Sequence, residues 1–439
     1  MPDLLTHRRG RVLTFFLLYL TEGIPLGFTA TAVATEMRQR GLQPDQIGAF
    51  VGSLYLPWAW KWVIGPFVDV LSSDRLGRRR IWIVGAQILM VATLGAALPI
   101  DFQSNLGLFT ALVFAHNIFA ATQDVAIDAL ACTVLPDDER GTANGFMFAG
   151  AYLGQAIGGA GVLYLNAALG GVFDGDLAFK LSFVLVAVSV LTVTVLVAWP
   201  LREPPGPPRP PGMGLRRAAR EVGTFGRDAL RAFFGTRAAL VGVLFAILPA
   251  GAHALSLALQ SNLAVELHMD DGQIANMSLC SVVIAAVACV AGGWLSDRYG
   301  RRRMLALFLA ATAIPTLYLA WRMQAAGWVL PHDPKAPAPA EAADLVAALW
   351  LASLTFSLFQ GLYYGTRTAL FMEVTTPAVA ATQFTAYMAL LNLVISYTAW
   401  WQGHAVVAWG YPITLCLDAG LGLVGIACLP FMSRQAASG

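Results

Sequence analysis

Apolar residues rarely alternate with polar ones along this chain. They run in long stretches, separated by short segments rich in arginine, aspartate, glycine and proline. The stretches lie near 12–34, 46–68, 80–99, 107–134, 141–168, 177–198, 236–262, 272–295, 303–323, 343–374, 380–406 and 410–432. Each is close to the ~20 residues a helix needs to cross a ~30 Å hydrocarbon core. The pattern predicts an all-α integral membrane protein with 12 transmembrane helices.

A phrase recurs half a chain apart. The first copy runs Gly65-Pro66-Phe67-Val68-Asp69 and resumes at Arg75-Leu76-Gly77-Arg78-Arg79-Arg80; the second runs from Gly292 through Asp297 to Gly300-Arg301-Arg302-Arg303. Each copy joins the end of one apolar run to the start of the next. Duplication of this kind predicts two pseudo-symmetric six-helix bundles, as in transporters built from related halves. The expected domains are 1–198, a linker over 199–235, and 236–439. The linker opens Pro200-Leu201-Arg202-Glu203-Pro204-Pro205, which favours an extended chain. Arg216, Arg217, Arg220, Arg227 and Arg231 then alternate with apolar residues, the pattern of a helix lying on an anionic leaflet. Four prolines between Gln324 and Ala342 predict a loosely ordered loop.

Composition supports lipid as the main solvent. The chain is 57% hydrophobic and 12% charged, against about 25% charged in soluble chains. Net charge is only +2, but its placement is uneven. Arginines cluster at 8–11, 75–80, 140, 202–237 and 298–303, each after an even number of spans, while Asp101, Asp174, Asp176, Asp270 and Asp271 lie in the odd connections. The positive-inside rule puts both termini and the linker in the cytoplasm. Arg38, Arg40, Arg322 and Lys335 fall on the opposite flank. The arginines are explained by the membrane, so no nucleic-acid partner is expected. Five cysteines, all in apolar runs, read as small packing residues.

Charges inside the spans carry the candidate chemistry, because a charge in hydrocarbon costs several kcal/mol unless matched. Lys61 lies in the second span, eight residues before Asp69 and so roughly 12 Å from its end. Asp124 and Asp128 share one face of the fourth span, and Glu22 lies about 15 Å along the first. Lys61 is expected to pair with Asp124 or Asp128, and one of Asp124, Asp128 and Glu22 to take up a coupling proton; a static structural ion pair is the competing reading. Arg367, about 15 Å deep in the tenth span, suits an anionic group on a substrate; pairing with Glu373 is the alternative. Tyr363, Tyr364, Gln360, Asn392 and Tyr397 offer further polar contacts. His116 and His253 read as packing residues. Gly158-Gly159-x-Gly161 and Gly361-x-x-x-Gly365 predict close helix contacts. No lysine follows a glycine, so there is no ATP-binding loop of that type, and no His/Cys spacing fits zinc. No cofactor, metal or enzymatic activity is expected.

The duplicated loop resembles the signature of the major facilitator superfamily. Leu56-Pro57-Trp58-Ala59-Trp60-Lys61-Trp62 through Asp69 looks like the second-helix signature of its muropeptide permease family. Ala121-Thr122-Gln123-Asp124-Val125-Ala126-Ile127-Asp128-Ala129, continuing to Gly141, and Ala381-Thr382-Gln383-Phe384-Thr385 are also similar. The resemblance implies a proton-coupled importer in a bacterial cytoplasmic membrane, carrying an anionic metabolite by alternating access. Relatives of this kind take anhydro-muropeptides, siderophores or acetyl-CoA. It implies substrate contacts at Lys61 and Gln123, and a gate latch formed by Asp69, Arg78, Arg79, Arg140, Asp297, Arg301 and Arg302; a plain topology anchor is the simpler reading of those loops. An efflux antiporter and a membrane sensor remain open. Twelve helices suffice to enclose a site, so a monomer is expected.

Overall fold

A computed structural model describes residues 4–70, 77–136, 140–170, 172, 175–203, 216, 219–220, 223–224, 227, 231, 237–337, 342–374 and 380–432. Among them the only regular elements are helices: α1 (Arg8–Gly27), α2 (Ala34–Gln39), α3 (Pro44–Ala59), α4 (Lys61–Val70), α5 (Arg80–Ala97), α6 (Leu106–Val134), α7 (Arg140–Ala156), α8 (Val162–Leu169) and α9 (Gly175–Val193) in the first part. The second part holds α10 (Arg237–Ile247), α11 (Ala258–Glu266), α12 (Asp271–Tyr299), α13 (Arg301–Ala325), α14 (Ala342–Val374), α15 (Ala380–Trp409) and α16 (Tyr411–Val424). Wider π turns at Phe28–Val33, Ile157–Gly161 and Thr194–Ala198 continue α1, α7 and α9.

Nine helical stretches among the described residues are long and apolar enough to cross a membrane. Three expected runs are not among them. The run at 46–68 is divided at Trp60 between α3 and α4, and α15 is a continuous 30-residue helix. The run at 236–262 is not one helix, because α10 stops at Ile247 and α11 starts at Ala258. Pro249 lacks an amide hydrogen and Gly251 takes φ +85°, a conformation that no helix continues. Outward-facing Val283, Val287 and Val290 on α12, and Leu196 and Trp199 after α9, are more than half exposed. Such a surface fits lipid rather than water. Cys280 and Cys416 belong to that surface and are not the buried packing residues expected.

The chain forms two compact units. One is Met1–Ala32 with Trp60–Phe225; the other is Val33–Ala59 with Gly226–Gly439. The boundary therefore falls within the first span as well as in the linker: residues 33–59 pack with the later helices. The first unit's core gathers Phe15, Leu18, Ile83, Ile127, Leu130 and Met147. The second gathers Phe245, Leu305, Leu309, Tyr363, Phe371 and Tyr387.

Glycine sets the helix spacing in both. Gly23 and Gly27 of α1 abut the carbonyls of Ala151 and Gln155 on α7, and Gly158 abuts Ile24. A Cβ on Gly154 would lie 2.7 Å from Leu20 O and 2.9 Å from Gly23 Cα. In the second unit Gly292 meets Leu362, Gly361 meets Ala285, and Gly48 and Gly403 let α3 and α15 touch. Close backbone approach replaces the hydrophobic driving force that helices lack in lipid.

Within the loop expected over 324–342, residues 328–332 are held by tertiary contacts. Val329 O accepts from Tyr411 N at 2.8 Å, and Trp328 stacks on His332 at 3.9 Å between ring centroids. The described residues between 216 and 231 are helical and exposed, including Arg216, Arg220, Arg227 and Arg231.

These contacts predict opposite results at two glycines. Gly154→Val should destabilise the purified protein by the ~1–3 kcal/mol or more that overpacking costs, and so lower its melting temperature. Gly95→Ala, with open space around it, should leave it within a degree or two. Thermal unfolding in detergent checks both; equal melting points would remove the close-approach argument.

Candidate functional site

The second, fourth and first spans bring the charged residues of the first unit together. Lys61 opens α4, just after the break at Trp60, and its Nζ lies 2.9 Å from Asp124 Oδ2 on α6. The lysine is 17% exposed and the aspartate 4%. One turn on, Asp128 Oδ1 accepts from Tyr19 Oη of α1 at 2.6 Å. Glu22, one turn beyond Tyr19, is close enough for its charge to act on Asp124, Lys61 and Asp128. Its Oε2 is buried without a hydrogen-bond partner. The partner choice left open for Lys61 resolves to Asp124. One ammonium thus faces three carboxyl groups from two other helices.

Gln123 points elsewhere. It is fully buried, and its Nε2 donates to Thr21 Oγ1 at 3.1 Å. Gln87 Nε2 reaches the same hydroxyl at 3.2 Å. The two amides tie α5 and α6 to α1 beside the charged cluster. His116 is buried on α6, its Nδ1 3.1 Å from Met90 O.

In the second unit Arg367 of α14 is buried and has no salt-bridge partner among the described residues. Its guanidinium lies 4.4 Å from the Tyr364 ring centroid and 5.3 Å from that of Tyr363. Aromatic faces attract the cation without neutralising it. Its Nε is buried with no hydrogen-bond partner. The side chain of Glu373 lies outside the described residues. The Tyr363 hydroxyl is buried without a hydrogen-bond partner, and Gln360 and Asn392 are half-buried on α14 and α15. The Tyr397 hydroxyl donates to Ile247 O at 2.7 Å, capping the end of α10.

The duplicated loops are described in part. Arg79 Nη1 donates to Val68 O at 2.8 Å, closing the last turn of α4. The backbone amide of Arg79 donates to Glu203 at 2.9 Å and that of Arg80 to the same carboxylate. Arg80 Nη1 reaches Leu201 O at 2.7 Å. Glu203 therefore sits on the positive end of α5, a clamp from the linker that no motif announced. Arg78, Arg301 and Arg302 are half-buried. The side chains of Asp69, Arg140 and Asp297 lie outside the described residues.

One buried ion pair was missed altogether. Arg38, expected on an outer flank, ends the long first helical run inside the second unit. Its Nη2 lies 2.6 Å from Glu266 Oε1 of α11, with 1% and 0% exposure. Arg38 also donates to Leu42 O and His332 O. Glu266 accepts from Tyr411 Oη at 2.7 Å and His332 N at 3.0 Å. An apolar run scored by hydropathy ends near residue 34, so the arginine beyond it reads as a flank; only the partner at 266 brings it inside.

Helices carrying buried charge beneath an apolar exterior define an integral membrane protein. The Major Facilitator Superfamily model matches residues 12–399, and the chain belongs to that family. The chain is 25% identical over 305 residues to the anhydromuropeptide permease of Escherichia coli strain K12, a match covering 69% of this chain and 58% of that protein. It therefore spans under two thirds of that relative's length. A putative transporter, AmpG 4, of Rickettsia felis is 25% identical over 190 residues, 43% of this chain and 44% of its own. Among solved structures, a D-xylose-proton symporter superposes with a TM-score of 0.72 at 15% identity, covering 95% of this chain and 96% of its own. The inward-open xylose transporter XylE of E. coli gives 0.69 at 13%, covering 98% of each. At those identities the structures establish the fold.

The Arg38–Glu266 pair predicts a thermodynamic cycle. Arg38→Met leaves a buried carboxylate unmatched and should cost about 3–5 kcal/mol. Adding Glu266→Gln should recover part of the loss. Melting temperatures of the three variants measure it; a single variant as stable as wild type would discard the pair as a structural element.

Proposed function

We propose that the chain is a proton-coupled symporter that imports an anionic metabolite of the anhydromuropeptide class by alternating access. It would act as a monomer in a bacterial inner membrane, with both termini and the linker cytoplasmic. The observation that carries this is the cluster of Lys61, Asp124, Asp128 and Glu22. One lysine among three carboxyls leaves excess negative charge, which a bound proton offsets at least cost. Asp124, ion-paired to Lys61, and Glu22, with an oxygen still unpartnered, are the groups between which that proton would be held.

The substrate end of the reading rests on Arg367. A buried guanidinium with an unpartnered Nε, set against two tyrosine faces, suits a carboxylate carried by a larger solute. Tyr363, Tyr364, Gln360 and Asn392 would add contacts. Lys61 would sense the solute through its exchange between Asp124 and an incoming anion, with Gln123 holding α6 in place. The loops at Asp69, Arg78, Arg79 and Arg140, and at Asp297, Arg301 and Arg302, would latch one transport state. The Arg79 cap on α4 supports a latch as much as an anchor. The identity to the anhydromuropeptide permease supports the solute class.

Proton movement in proteoliposomes tests this. Adding anhydromuropeptide outside should alkalinise the external medium, and ferric siderophore should not. Asp124→Asn should reduce the signal to background while gel filtration still shows folded protein. Undiminished uptake by Asp124→Asn removes that carboxylate from coupling; a signal with siderophore alone reassigns the solute.

A further inference from the structure

The gap between α10 and α11 sits in what would otherwise be one apolar span. Irregular backbone at membrane depth persists only where its polar groups are met, inside protein or along a water-filled cavity. Here several of them are met by named partners. Tyr397 caps Ile247 O. Gly251 N donates to Gly422 O at 2.9 Å. Ala252 N donates to Thr312 Oγ1 at 2.9 Å. The amides of His253 and Ala254 both donate to Asp418 Oδ2, at 2.9 and 3.0 Å. Gln402 Nε2 holds the other carboxylate oxygen at 2.7 Å. Asp418 is 1% exposed and fixes the backbone of residues 253 and 254.

The residue so fixed is His253. Its ring is buried, and Nε2 has no hydrogen-bond partner. The neighbouring Gly251 abuts Tyr363: a Cβ there would lie 3.5 Å from Tyr363 Cε1. Tyr363 in turn lies against Arg367, and the guanidinium is near enough for its charge to act on the His253 ring. His253 Nε2 and Arg367 Nε are each buried without a hydrogen-bond partner, and both lie in the region around the Tyr363 ring. A buried donor left unmatched costs as much as a lost hydrogen bond. Asp418 makes no hydrogen bond or ion pair with either nitrogen among the described residues; its partners are the His253 and Ala254 amides and Gln402.

We propose that His253 and Arg367 form one anion subsite that takes a carboxylate of the substrate, and that Asp418 is the positioning residue that presents His253 to it. This rests on the reading of the chain as a carrier of anionic solutes, and adds the broken span to the site. His253 donates through Nε2, while Arg367 supplies the charge and a second donor. Without Asp418 the segment would lose the acceptor for two adjacent amides, and His253 its fixed direction.

The test needs no knowledge of the substrate. In the full chain with its native cysteines replaced by serine or alanine, His253→Cys is labelled with an anionic (sulfonatoethyl) and a cationic (trimethylammonioethyl) methanethiosulfonate of similar size. The anionic reagent should react about tenfold faster or more. Arg367→Gln should abolish that preference; Asp418→Asn, which keeps an acceptor for the two amides, should preserve it, whereas Asp418→Ala, which removes the acceptor, should diminish it. If His253→Cys does not fold, Ala252→Cys on the same segment takes its place. A cysteine there that reacts with neither reagent, or with both equally, overturns the proposal. A clear anionic preference, with no protection of the cysteine by anhydromuropeptide, keeps the subsite and rejects anhydromuropeptide as its ligand.

Discussion

Polar groups that enter a bilayer must be matched within the protein, because hydrocarbon offers them nothing. That constraint organises both compact units. It explains why Lys61 meets Asp124, why Arg38 meets Glu266, and why the broken span is lined with acceptors and donors. Each of these groups would be ordinary on a water-facing surface. Within the membrane each dictates the position of a second helix.

The two units meet the constraint in different ways. The first concentrates charge: three carboxyls from α1 and α6 converge on one lysine of α4. The second spreads its charges apart. Arg367 rests on aromatic faces, Glu266 is saturated by an arginine, a tyrosine and a backbone amide, and Asp418 binds backbone. Duplication in the chain is thus clear in the Gly/Arg loops but absent from the buried chemistry. The loops keep a topological task common to both halves, whereas the interior residues have separate ones.

Glycine supplies the complementary device. Where α1 crosses α7, and α12 crosses α14, the contact is made by backbone, with no room for a side chain. These seams keep helices rigid near the charged groups, so that a lysine and an aspartate 63 residues apart in the chain stay within 2.9 Å. The linker contributes as well. Glu203, just past its first proline, covers the exposed amides that begin α5, fastening the connector to the loop carrying the first Gly/Arg copy.

Much of this was legible from residue order alone. Hydropathy runs give the membrane spans, since lipid imposes one requirement on every helix, and the repeated loop gives the family. Charges in apolar runs mark Lys61, Asp124, Asp128, Glu22 and Arg367, because nothing but function or a buried partner justifies them. Other features were not legible, for a shared reason. The break at 248–257, the burial of Arg38, the order of residues 328–332 and the roles of Asp418, Tyr397 and Glu203 all depend on a partner distant in sequence. Pro249 and Gly251 permit a break but do not require one; Asp418, 165 positions away from His253, stabilises it. Local pattern determines which segments are helical and apolar. Only the packed structure decides which polar atoms find each other, because that matching is a property of pairs.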